Sequence, residues 1–73
     1  MKLKEWIKKN SLSCSGAAEK FNIININPAT NVWRYCNGQR IPHPIIMKKI
    51  YYATNQQVTP QDFYEQYWEK KNI

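Results

Sequence analysis

Helix-start signals recur along this chain, whereas a clean period-two alternation of apolar and polar side chains does not. A chain with that pattern folds as packed helices rather than as a sheet. The clearest signal is Thr59-Pro60-Gln61-Asp62. Thr59 and Asp62 have capping-box spacing, Pro60 sits at the first helical position, and Val58 and Phe63 flank the cap as a hydrophobic staple. Asn27-Pro28 and the rigid Pro42-His43-Pro44 connector repeat the device, so helices are predicted to open at Pro28, Pro44 and Pro60.

The apolar spacing supplies the inner faces. Leu3, Trp6, Ile7 and Asn10 fall at i, i+3, i+4 and i+7, which predicts a short amphipathic first helix burying Trp6. Ala17, Ala18 and Phe21 share a face of a second helix over about residues 14–21, capped by Ser13 or Ser15 and closed by Asn22 in the left-handed position. Val32, Tyr35 and Cys36 line a third over about 28–37, stopped by Gly38. Ile46, Met47, Ile50 and Ala53 line a fourth that ends near Thr54-Asn55. The last helix carries an aromatic stripe of Phe63, Tyr64, Tyr67 and Trp68, a pattern more often used for a core or a dimer interface than for stacking bases. The expected fold is all-α, five short helices in one domain over residues 1–73, because a chain of 73 residues can bury one core and no second.

Charge then narrows the partner. Eleven Lys and Arg against five Asp and Glu leave +6. No acidic residue stands between Glu19 and Asp62, while Lys20, Arg34, Arg40, Lys48 and Lys49 do. An acid-free stretch presents positive charge without neutralising itself, which suits a phosphate-bearing partner. Residues 1–57 hold nine basic and two acidic side chains, a surplus of +7; residues 58–73 hold two and three, or −1. The surplus therefore lies away from the last helix.

Other classes find little support. Cys14 and Cys36 with the single His43 give neither a disulfide framework nor metal-ligand spacing, so no metal or cofactor is expected and both thiols should be free and inert. The first nine residues interrupt their apolar side chains with charges, unlike a signal peptide, and no run reaches the roughly 20 apolar residues of a membrane span. A cytoplasmic protein with no membrane partner follows as an expectation. With no Gly-rich phosphate loop, no paired carboxylates, and His43 between two prolines, an enzyme is not expected.

Two short helices over about 14–21 and 28–37, joined by a turn in a basic chain, make a helix-turn-helix candidate. With Val32 and Tyr35 inward, Asn31, Trp33, Arg34 and Asn37 lie outside or on the flanks. Arg34 can bond a guanine edge in bidentate fashion or touch only phosphate; Asn31 and Asn37 can pair with adenine or hold a phosphate. Trp33 either meets a thymine methyl or sugar edge or packs against the first or last helix, and the usual burial of Trp favours packing. Asn27 and Thr30, near the helix start, can donate to phosphate beside free backbone amides. Lys20 adds charge at the end of the bracing helix.

The segments Leu3-Lys-Glu-Trp-Ile7, Gly16-Ala-Ala-Glu-Lys-Phe21, Val32-Trp-Arg-Tyr-Cys-Asn-Gly38, Arg40-Ile-Pro42 and Val58-Thr-Pro-Gln-Asp-Phe-Tyr64 occur in an order and spacing that resembles the Cro/YdaS-like group of phage and prophage repressors. The resemblance implies a lambda-repressor-like helix-turn-helix domain that binds double-stranded operator DNA as a homodimer at the bacterial nucleoid and takes no small-molecule substrate. It also implies recognition-helix positions for Trp33, Arg34 and Asn37, with Arg40 just beyond and available to the DNA backbone. Two departures stand out. Nine residues, Ile23 to Asn31, separate Asn22 from Val32 where the group has about five, and Gly16 lies inside the bracing helix. The longer turn raises an alternative, an antitoxin-like or protein-interaction regulator that binds a partner through the aromatic last helix, with DNA binding weak or secondary. On the first reading Tyr64, Tyr67, Trp68 and Ile73 of that helix are candidate dimer contacts.

Overall fold

The computed structural model describes residues 1–24 and 26–71; Asn25, Asn72 and Ile73 lie outside the described residues. Five helices follow in order: α1 (Leu3–Lys9), α2 (Cys14–Lys20), α3 (Pro28–Cys36), α4 (Pro44–Ala53) and α5 (Pro60–Lys71). The fold is all-α, and among the described residues there is no strand. Each predicted helix is present, with ends a residue or so inside those expected because Asn10, Phe21, Asn37 and Thr54 serve as C-caps.

One hydrophobic cluster unites the helices. Leu3, Trp6 and Ile7 come from α1, Ala17 and Ala18 from α2, Val32, Tyr35 and Cys36 from α3, and Ile46, Met47 and Ile50 from α4. Phe21, Ile23, Val58 and Phe63 complete it. Trp6 meets Phe21 with ring centroids 5.5 Å apart, and Tyr35 meets Phe63 edge-on at 6.5 Å. Asn10, counted on the inner stripe of α1, is instead exposed, and its side-chain amide donates to the Trp6 carbonyl at 2.8 Å. An amide that closes the last turn of its own helix leaves its apolar neighbours to fill the core.

The caps follow the sequence except at one point. Ser13 Oγ accepts from the Gly16 amide at 3.0 Å. In α5 the capping box closes in both directions: the Thr59 amide donates to Asp62 Oδ2 at 2.9 Å and the Asp62 amide donates to Thr59 Oγ1 at 3.3 Å. Asn27 departs from expectation. Its backbone (φ −133°, ψ 69°) is turned so that its side chain makes no capping bond, and α3 starts on the fixed φ of Pro28.

Three links outside the core set the position of α3. The Lys70 ammonium donates to the Asn37 carbonyl at 3.0 Å, and the Gln66 side-chain amide donates to the Cys36 carbonyl, so α5 supplies donors to the open end of α3. Gly38 turns the chain away at φ 69°, and a Cβ added there would lie 3.2 Å from the Gln66 carbonyl oxygen, closer than an ordinary van der Waals contact. At the other end the Lys49 ammonium donates to the Asn22 carbonyl at 3.0 Å, tying α4 to the turn between α2 and α3.

Candidate nucleic-acid interface

Among the described residues α2 and α3 pack on each other more extensively than any other pair of helices. Small residues make this close approach feasible: Ala17 and Ala18 on α2 are buried, as is Val32 on α3. With Val32, Tyr35 and Cys36 turned inward, residues 30, 33, 34 and 37 fall at i, i+3, i+4 and i+7 on the opposite face of α3. That face carries Thr30, Trp33, Arg34 and Asn37.

The structure brings most of the candidate residues to this face and its edges. Thr30 is exposed in the first turn of α3, Asn27 is exposed just before it, and Lys20 is exposed at the end of α2. Arg34 is half-buried, and its side chain makes no hydrogen bond or ion pair among the described residues, so its guanidinium is available to a ligand. Asn31, on the flank, is half-buried, and its Oδ1 accepts from Arg40 Nη1 at 3.4 Å. Arg40 is thereby folded back along α3. Its positive charge also acts on the Tyr35 phenol: burial pushes that group above its ordinary value, and Arg40 partly offsets the rise.

Two expectations need correction. Trp33, for which burial was favoured, instead remains 49% exposed on the outer face. The inner stripe of α3 already fills the available core with Val32, Tyr35 and Cys36, and Trp33 lies a third of a turn beyond it. Asn37 is less free than its position implied, because its side-chain amide donates one N–H to the Trp33 carbonyl at 2.8 Å, leaving the second N–H and Oδ1 for another partner.

The aromatic stripe of α5 divides between two roles. Phe63 is buried, Tyr67 is half-buried, and Tyr64 and Trp68 are exposed. A twelve-residue helix beside four shorter ones can bury only part of a stripe that spans i, i+1, i+4 and i+5, and Phe63 takes the inner position.

The lengthened connection shows what the spacing alone left open. α2 ends at Lys20 and α3 begins at Pro28, four residues before Val32, so the extra length is shared between the turn and the first turn of the helix. Ile23 anchors the turn in the core, while Ile24 and Ile26 project into solvent at 83% and 94% exposure. Sequence reasoning passed over these two side chains. Their signal was an Ile-Ile-Asn-Ile run with no helical partner positions to bury it.

Among the described residues no group of three His, Cys, Asp or Glu side chains could hold a metal ion. Both cysteines are free; burial, with a contribution from Cys14, pushes the Cys36 thiol up to about 11. No helix among the described residues is long and apolar enough to cross a membrane. Comparisons with protein-family models, curated proteins and solved structures find no match for this chain.

Proposed function

We propose that this chain is a sequence-specific DNA-binding regulator of the Cro-like helix-turn-helix kind, with α2 as the bracing helix and α3 as the recognition helix. One observation carries the reading: the outer face of α3 presents Thr30, Trp33, Arg34 and Asn37 together, within a stretch of chain that contains no acidic residue after Glu19. In the major groove Arg34 bonds a guanine edge or a phosphate, Trp33 contacts a thymine methyl or sugar, and Asn31 with Arg40 holds the flanking backbone. Asn27, Thr30 and Lys20 add phosphate contacts where the turn meets the duplex. Exposed Ile24 and Ile26 give the same edge an apolar surface suited to base methyl groups. The mechanism is steric: two copies related by a two-fold axis occupy half-sites about 34 Å apart and exclude polymerase, without catalysis or cofactor.

The test is selection of bound sequences from a random duplex library, followed by footprinting with Arg34→Ala and Asn37→Ala variants. Arg34→Ala should cost about 1–3 kcal/mol and relax specificity at one base pair; uniform weakening across sequences would reassign Arg34 to phosphate. Wild-type protein that enriches no sequence would overturn operator recognition. A second reading, a regulator that works through a protein partner, draws support from exposed Tyr64 and Trp68 on a helix that belongs to the electrostatically near-neutral end of the chain.

A further inference from the structure

Between α4 and α5 lies an open groove of about 650 Å³, within the range of natural ligand sites. Its walls are aromatic and prolyl: Pro42, Pro44, Tyr51, Tyr52, Pro60 and Tyr64. Tyr51 and Tyr52 stand edge to face with ring centroids 5.3 Å apart, and Tyr52 and Tyr64 remain 59% and 56% exposed. None of the lining residues belongs to α2 or α3, so the groove is separate from the face assigned to DNA.

We propose that this groove binds an extended, proline-rich peptide segment that carries a carboxylate. Three features select that occupant. The groove is open rather than enclosed, which suits an extended chain better than a buried small molecule. Its tyrosine rings offer flat slots for prolyl rings, and a polyproline II segment arrives already ordered with unbonded carbonyls for the tyrosine hydroxyls. Lys48 is the one charged side chain in the lining, and its ammonium makes no hydrogen bond or ion pair among the described residues. A lone cation on an aromatic wall calls for a carboxylate, and it opposes the cationic ligands that tyrosines would otherwise attract.

A second copy of the chain fits poorly. A two-fold contact through this groove would bring both copies of Lys48 into one interface, and the lining offers no acidic side chain to compensate. DNA would satisfy Lys48 but leave the prolyl and tyrosyl walls without a shape to fill.

The experiment is fluorescence anisotropy with the full chain, without DNA, at physiological salt. The probe is a labelled ten-residue peptide rich in proline with two glutamates; matched peptides carry lysine in place of glutamate, or alanine in place of proline. The glutamate peptide should bind, and either matched peptide should bind about tenfold more weakly. Tyr52→Ala and Tyr64→Ala should each weaken binding about tenfold, consistent with exposed aromatic anchors, while thermal melts stay unchanged. Lys48→Glu should reverse the preference between the glutamate and lysine peptides. Arg34→Ala should leave peptide binding intact, which separates this site from the DNA reading. Equal binding of all three peptides, no binding, an unreversed charge preference, or self-association that Tyr52→Ala abolishes would each overturn the proposal.

Discussion

Gly16 and Gly38 have the same side chain and should respond in opposite directions to an added methyl group. A Cβ on Gly16 would meet Ser13 Oγ at 3.4 Å and Leu12 Cδ2 at 3.6 Å, which is ordinary contact. Gly16→Ala should therefore stabilise the fold by up to about 1 kcal/mol, the helix-propensity gap between the two residues. Gly38 lies at φ 69°, where a Cβ would also crowd the Gln66 backbone oxygen. Gly38→Ala should destabilise by about 1–2 kcal/mol, and thermal melts of the two variants check both signs. The reactivity of Cys36 follows from its burial. With its thiol at about 11, it should resist alkylation at neutral pH in the folded protein and react once the chain is unfolded, as mass spectrometry of the alkylated protein would reveal.

Asp62 links the residue scale to pH. Burial tends to raise its carboxyl, but hydrogen bonds from the Thr59 amide, the Met1 ammonium and the Thr59 hydroxyl, with the ammonium's charge, hold it below the ordinary 3.8. A carboxyl whose value falls on folding stabilises the native state above its unfolded value and loses that contribution as pH drops through its folded value. Stability from Asp62 should therefore be full above about pH 5 and fade below pH 4. Denaturant titrations of wild type and Asp62→Asn should differ at neutral pH and converge in acid.

At the scale of the element, each helix owes its start to a local device and its orientation to something distant. The α5 capping box is wholly local, so Thr59→Ala should cost about 1 kcal/mol in chemical denaturation. The start of α3 was also legible, because Pro28 imposes the helical φ whatever Asn27 does with its side chain. Its far end was not. The donors that reach its last carbonyls come from Gln66 and Lys70, about thirty residues along the chain, where no spacing rule could connect them. Trp33 failed for a related reason: its type suggested burial, but whether a side chain beyond the inner stripe finds a wall depends on the neighbouring helix. Thr54 is a further example, a buried hydroxyl that donates to the Ile50 carbonyl at 2.8 Å and accepts from the Val58 amide at 3.1 Å, joining α4 to the turn before α5.

For the whole molecule, charge and apolar surface are sorted into different places. The whole cationic surplus belongs to residues 1–57, and the exposed aromatics of α5 lie in the nearly neutral remainder. If the α3 face engages phosphates, DNA affinity should fall about 10³–10⁵-fold between 50 and 200 mM salt for 6–10 contacts, whereas peptide binding at the α4–α5 groove should change little. Parallel titrations in the two assays would test this segregation directly. The exposed Lys2–Glu69 pair at 3.4 Å, by contrast, should contribute little to stability because water and salt screen it.

Helix number, helix starts and the inner faces were determined by the sequence itself, because caps, prolines and 3.6-residue periodicity act over one or two turns. The all-α class and the identity of the core residues follow from those short-range rules. Only the tertiary structure decided which outward residues are free. It left Trp33 half-exposed, turned the Asn37 amide onto its own helix, drew Arg40 to Asn31, and left Ile24 and Ile26 exposed on the long turn. It also assembled the groove from residues 42 to 64, whose prolines and tyrosines lie in separate segments of the sequence and share a wall only in the folded chain. Availability depends on what stands opposite a side chain, and that is a property of neighbours distant in the chain.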